Sequence, residues 1–199
     1  EDHDPDDLVR LAAAGRATSC AGVTIRDDED NEVPVGEVGE ICVAGPIVMT
    51  GYWQNPELTA ETLRGGRLHT GDLGRLDEHG YLSIVGRKKD MIITGGLNVY
   101  PAEVEARLLE HPAVAQACVV GVPDRDWGER VVAAIVLRDG QEAPQDADAL
   151  TQELREFVRS EKGSVQTPKD LEYVTAIPVT KIGKPDKSAM QQTMIELLG

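Results

Sequence analysis

The stretch GRKKDMIITGGLNVYPAEVE, residues 86–105, is where the texture of the chain changes. Before it, from Gly22 to about Val85, GVTIRD, GEICVAG and GYLSIVG each set apolar residues two apart, the period of a half-buried strand. The acidic run DDEDNEVPVG between the first two reads as a solvated hairpin loop, and DEHG before Tyr81 reads as a tight turn. Between them NPELTAETL reads as a short helix with a proline at its first position. After Arg87 the period lengthens. PAEVEARLLEH begins with Pro101, carries Glu103 and Glu105 in its first turn, where they favour the positive end of a helix dipole, and spaces Val104, Leu108 and Leu109 for one helical face. AVAQACVVGV and RVVAAIVLRD then read as strands around a turn at PDRDWGE. GQEAPQDAD leads into a second helix, roughly Ala147 to Ser160, and LEYVTAIP is a final strand. Without a strict βαβ alternation, the fold class is α+β: a small antiparallel β subdomain followed by an α+β domain over about 90–199. The sequence contains no internal repeat.

Composition sets the outer limits. The 199 residues suit one large or two small domains, with 41% hydrophobic and only 4% aromatic residues. The longest apolar runs, VVAAIVL (131–137) and ACVVGV (117–122), fall far short of the roughly 20 residues of a membrane helix. EDHDPDD at the start carries acids where a signal peptide is basic and then apolar, so a cytoplasmic location is expected. Cys20, Cys42 and Cys118 lie far apart without a CxxC pair and are read as packing residues, with no metal site. Asp and Glu outnumber Lys and Arg by 35 to 20, for a net charge of −15, which argues against nucleic acid as a partner.

Against that acidity the lysines gather in two places, Lys88–Lys89 and between Lys162 and Lys187. The densest spot is IPVTKIGKPDK, residues 177–187, with Lys181, Lys184 and Lys187; such a reversal of sign suits a phosphate or carboxylate ligand. LHTGDLG, residues 68–74, sets Asp72 after a Thr-Gly turn, exposed between strands. A carboxylate there can accept both hydroxyl protons of a ribose, or it can bond its own backbone as turn aspartates do.

Taken together these motifs have a family likeness. GEICVAGPIVMTGYWQNPELTAETL, HTGD, GRKKDMIITGGLNVYPAEVE, HPAVAQACVVGVPDRDWGE and IPVTKIGKPDK resemble, in order and spacing, the later core motifs of the adenylate-forming enzymes, and among these the acyl- and aryl-CoA synthetases. The resemblance runs from Gly15 onward. It implies a two-step reaction in which a carboxylic acid and MgATP give an acyl-adenylate and pyrophosphate, and CoA thiolate then displaces AMP. It also implies that residues 1–88 are a β-barrel-like subdomain of a large adenylation domain, and that 89–199 are a mobile carboxy-terminal domain that rotates between the steps.

The resemblance assigns roles residue by residue. Lys184 matches the adenylation lysine, whose flexible point charge meets the substrate carboxylate and the α-phosphate. Asp72 and Arg87 match nucleotide-binding residues, and Lys89 matches the hinge whose torsions change as the domain swings. Gly95, Gly96 and Asn98 match the loop lining the pantetheine tunnel. Trp127 matches a tryptophan packed on the CoA nucleotide, and Lys169 a residue near its phosphates. Lys181 and Lys187 are read as solvated or phosphate-attracting charges. There are departures: SVQTPK lacks the aromatic and basic residues common before Pro168–Lys169, and Arg67 stands where an aromatic is common. No phosphate loop and no magnesium-holding Thr-Glu motif occurs, so both, with the Mg2+ ligands, are expected in an amino-terminal part of the same enzyme. The chain is therefore expected to be a carboxy-terminal fragment of an acyl-CoA synthetase, inactive alone, with a fatty acid the commonest substrate of the family. Two other readings are a non-catalytic CoA-binding or regulatory module, and an adenylating enzyme that loads a carrier protein.

Overall fold

The computed structural model describes residues 12–138 and 147–198; the acidic opening EDHDPDD and most of GQEAPQDAD lie outside the described residues. Two compact units meet in sequence between Lys89 and Asp90.

The first unit is a sheet of β1 (Gly15–Arg16), β2 (Gly22–Arg26), β3 (Gly39–Ala44), β4 (Leu68–Leu76) and β5 (Tyr81–Arg87). Their order is β1-β5-β4-β3-β2, with every neighbouring pair antiparallel. Among the described residues β1 and β2 end the sheet without pairing to each other, so the sheet is open where a barrel-like subdomain was expected. Ile25, Ile41, Leu73 and Val85 are buried in this unit. Helix α1 (Pro56–Thr62) starts as its sequence dictates: Pro56 follows Asn55, whose side chain accepts the Leu58 amide at 3.1 Å.

Strand β4 is the element that the alternation rule did not disclose. Glu40 of β3 pairs with Leu73 and Cys42 with His69, leaving Thr70, Gly71 and Asp72 opposite Ile41 alone. This bulge scrambles the period of two, and it corrects the placement of Asp72, which lies within a strand and partly covered rather than in a turn between strands.

The second unit holds β6 (Ile92–Thr94), β7 (Leu97–Val99), β8 (Val114–Asp124), β9 (Gly128–Leu137) and β10 (Asp170–Tyr173), with helices α2 (Pro101–Leu109), α3 (Ala147–Gln166) and α4 (Lys187–Leu198). β8 and β9 form a long antiparallel ribbon from Val114↔Leu137 to Asp124↔Gly128. β10 lies parallel to β9, and the β6–β7 hairpin joins β9 through Thr94↔Gly128. The ribbon is apolar on both faces, so both must be covered. Val119, Val131, Ala133 and Ile135 pack with Val104 and Leu108 of α2 and Leu154 and Val158 of α3. The opposite face, Cys118, Val120, Val122, Val132 and Ala134, packs with Ile177 and with Met190 and Met194 of α4.

Three expectations are corrected here. Leu109 is exposed, so the buried stripe of α2 is Pro101, Val104 and Leu108. Helix α3 runs beyond Ser160 to Gln166, with a break in its helical torsions at Gly163. Cys20 is exposed, so it is no packing residue, whereas Cys42 and Cys118 are buried and burial pushes both thiols up to about 11. Among the described residues no helix is long and apolar enough to cross a membrane.

Helix α4 sits on the ribbon through two methionines one turn apart, and Met194 is fully buried. Met194→Ala is expected to destabilise the second unit by about 2–5 kcal/mol, whereas Ile182→Ala, at an exposed position, stays within about 0.5 kcal/mol. Urea unfolding curves of the two variants check both values.

Candidate functional site

Asp72 and Arg87 are register partners where β4 meets β5, and Arg87 Nε stands 3.0 Å from Asp72 Oδ1. Both side chains are partly open to solvent, so the pair contributes roughly 0–1 kcal/mol to stability, and it sets a carboxylate and a guanidinium side by side. The bulge that carries Asp72 is held from beneath. Thr70 Oγ1 donates to the Ile41 carbonyl at 2.8 Å and accepts the Asp72 amide at 3.1 Å, while the Gly71 amide donates to Glu40 Oε1 at 3.1 Å.

Glu40 is a carboxylate that the sequence reading passed over. Only 5% exposed, it receives at Oε2 the guanidinium of Arg64 at 3.2 Å, Nδ1 of His69 at 3.3 Å and the ammonium of Lys88 at 3.4 Å. Burial by itself would raise its pKa, but the His69 hydrogen bond, the Lys88 charge and the Gly71 amide outweigh it and hold the carboxyl below the ordinary glutamate range. Lys88 also reaches Asp28 at 2.7 Å, and this hydrogen bond leads the upward shift of its own pKa. The run RKKD is charged throughout, yet its first lysine is clamped from two sides. The signal available was an acid in GEICVA at a strand position whose next same-face residue, Cys42, is apolar. Lys89, by contrast, is exposed and is the last residue of the first unit.

Lys184 lies in the second unit on a closed turn. The Thr180 amide donates to the Lys184 carbonyl at 2.7 Å, the Gly183 amide to the Thr180 carbonyl at 2.9 Å, and the Lys184 amide to Thr180 Oγ1 at 3.2 Å. A bridge between Val179 and Pro185 closes the base. Gly183 has φ +78°, a left-handed conformation that favours glycine, so the turn chemistry lies in the motif itself. Lys184 is exposed and forms no ion pair among the described residues, and Lys181 is exposed as well. Lys187 differs from its sequence reading. Its Nζ stands 2.8 Å from Glu105 Oε1 and 3.4 Å from the Val119 carbonyl, so it ties the first turn of α4 to α2 and β8 instead of facing solvent.

Gly95, Gly96, Asn98, Trp127 and Lys169 gather around the β6–β7 hairpin. Gly95 and Gly96, at φ +57° and +78°, form its two-residue turn, and the Gly95 amide donates to the Trp127 carbonyl at 2.8 Å. Trp127 is held by the turn after Asp124, whose Oδ1 accepts the amides of Asp126 and Trp127; these two bonds keep the Asp124 carboxyl below the ordinary aspartate range. The indole is 53% exposed, with Lys169 Nζ 5.6 Å from its ring centroid, so it is a platform rather than a core residue. Asn98 is exposed on β7 opposite Ile93.

The sequence matches two family models, one described as AMP-binding enzyme over residues 1–53 and one as AMP-binding enzyme C-terminal domain over 103–184. A medium/long-chain-fatty-acid CoA ligase of Mycobacterium tuberculosis is 49% identical over 199 residues, which is 100% of this chain and 34% of that protein. Among solved structures, an amide bond synthetase from Marinactinospora thermotolerans superposes with a TM-score of 0.85 at 46% identity, over 96% of this chain and 38% of that one. The o-succinylbenzoate CoA synthetase of Bacillus subtilis, in complex with its acyl-adenylate intermediate, gives 0.82 at 33% identity, over 92% and 36%. The chain thus spans about a third of the length of the relatives it matches.

Two outcomes follow from this geometry. Because the Glu40 pKa is depressed, the stability it contributes is present above the ordinary glutamate value and is lost as pH falls through the lowered one. The protection of the amides of residues 39–44 against hydrogen exchange, after division by the intrinsic rate at each pH, is expected to fall over that acid interval in the wild type and to change less in Glu40→Gln. A Cβ at Gly95 would lie 2.7 Å from Trp127 Cε3, so in a Trp53→Phe background Gly95→Ala is expected to displace the indole and shift its fluorescence maximum.

Proposed function

Because the chain belongs to the adenylate-forming, AMP-binding enzyme family, we propose that it supplies the carboxy-terminal part of an AMP-forming acyl-CoA ligase. In this reading a carboxylic acid, foremost a fatty acid, reacts with ATP to an acyl-adenylate, and the acyl group then passes to CoA. The fatty-acid preference draws on the Mycobacterium tuberculosis ligase, and the adenylate on the Bacillus subtilis complex. A cytoplasmic setting and an amino-terminal partner domain belong to the same proposal.

The observation that carries it is Lys184, an exposed ammonium without an ion pair among the described residues, set on a hydrogen-bonded turn of an acidic chain. When the acid attacks the α-phosphorus, negative charge builds on the phosphoryl oxygens, and a cation already oriented lowers that barrier without reorganising. Asp72 accepts the ribose hydroxyls while Arg87 beside it faces the phosphates. Lys89, outside the Lys88 clamp, absorbs the torsional change as the domain boundary turns between the two steps. In the second step the Gly95–Gly96 turn lets the pantetheine arm pass close to backbone. Asn98 flanks it, Trp127 offers a face to the adenine, and Lys169 a charge to the phosphates.

Magnesium is implied by the family but does not fit the residues described. The one group of three such donors among them, Asp30, Cys42 and His69, offers sulfur and nitrogen to an ion that takes oxygen ligands, so no step is assigned to a metal here. A second reading, transfer of the acyl group to an amine, draws on the amide bond synthetase.

In the complete gene product, Lys184→Ala is expected to lower carboxylate-dependent ATP/pyrophosphate exchange by about 10²–10³-fold, a loss of about 2.7–4 kcal/mol, and to leave thioester formation from supplied acyl-adenylate within a few-fold. Retention of both half-reactions would overturn the assignment. Supplying the adenylate with CoA or with an amine in parallel separates the two acceptors, and Trp127→Ala is expected to raise KM for CoA alone.

A further inference from the structure

We infer that Glu40 couples nucleotide occupancy of the Thr70–Asp72 bulge to the conformation of the junction at Lys88 and Lys89. It acts as a positioning residue and touches no substrate. The inference rests on the reading of Asp72 as the ribose acceptor and Lys89 as the hinge.

The two oxygens of this one carboxylate face different parts of the first unit. Oε1 accepts the amide of Gly71, whose neighbour is Asp72; Oε2 receives Lys88 Nζ, whose neighbour is Lys89. The backbone of Glu40 is held on β3 by its pairing with Leu73, so a displacement at Oε1 is taken up by rotation of the carboxylate, which Arg64 and His69 also hold at Oε2. A ligand that pulls Asp72 moves Gly71 with it. Water does not fill the gap at Oε1, since Glu40 is buried, so the carboxylate follows and alters its grip at Oε2.

Lys88 holds Glu40 and Asp28 together, at 3.4 and 2.7 Å. The coupling adds a second arrangement, in which Lys88 releases Glu40 and keeps Asp28 alone. Asp28 is largely exposed and follows the ammonium at little cost, so the first arrangement pins the backbone before Lys89 and the second frees it. An element with two discrete arrangements, biased from the nucleotide side, is what energetic coupling requires. By reciprocity the junction then also alters nucleotide affinity, by a factor within the usual range of about 5–150.

The experiment is hydrogen exchange of residues 86–92 in the complete gene product, with and without AMP, alongside direct AMP binding. In the wild type AMP is expected to change exchange across this segment several-fold. Glu40→Gln and Lys88→Met are expected to bind AMP yet lose that change, while Lys88→Arg, which keeps a cation, retains it. Lys88→Met removes one cation from Glu40 but leaves the carboxylate itself and its bonds to Gly71, Arg64 and His69 in place, so it decides the matter even if Glu40→Gln fails to fold. An unchanged AMP response in Lys88→Met would overturn the coupling, as would equal loss in Lys88→Arg and Lys88→Met. If Asp72→Ala leaves AMP affinity intact, the reading of Asp72 fails, and the coupling fails with it.

Discussion

A carboxylate withdrawn from water must have its lone pairs answered by the protein, and Glu40 sets that demand for the first unit. The side chains and amide that answer it come from β4, β5's end and the turn after α1: His69 and Gly71, Lys88, and Arg64. Three separate stretches of chain are thus gathered on one residue of β3. The bulge that presents Asp72 exists because Glu40 and Ile41 together take the amide of Gly71 and the hydroxyl of Thr70. Removing only one partner from such a set costs more than the set contributes to stability, because it leaves a buried charge uncompensated.

The second unit obeys a different constraint. Its β8–β9 ribbon is apolar on both faces, and a two-stranded ribbon alone is marginal in water. Helices α2 and α3 cover one face and α4 the other, so α4 is what completes the core. Lys187 links the two layers, since Glu105 Oε1 accepts from its ammonium and also from the Val119 amide, joining α4, α2 and β8 at one atom.

Much of this was legible in the sequence because local chemistry and tertiary demand agree. β2, β3 and β5 lie where apolar residues two apart predict strands, although β3 buries Gly39 to Cys42 in succession, and α1 and α2 begin at the prolines that announce them. β4 was hidden where its bulge breaks the period, and the hairpin of β6 and β7 because three-residue strands carry too little pattern. Helix α4 is signalled only indirectly: VVAAIVL is a continuous apolar run rather than an alternating one, and such a strand needs a second covering layer. Among site residues, Asp72, Arg87 and Lys184 stand in motifs whose purpose is local. Glu40 and Lys88 are 48 positions apart, and nothing in either segment alone points to the other.

The turn that carries Lys184 is bounded on both sides. Val179 and Pro185 pair across its base, and one residue later Asp186 caps α4 by accepting the Ala189 amide. Surface loops ordinarily tolerate insertions, since the entropy of a longer loop rises slowly. This one has no slack: an added residue must either open the bridge or rotate α4 by about 100°, taking Met190 and Met194 off the ribbon. Within this stretch chain length is thus held as firmly as residue identity, and change there is restricted to substitution.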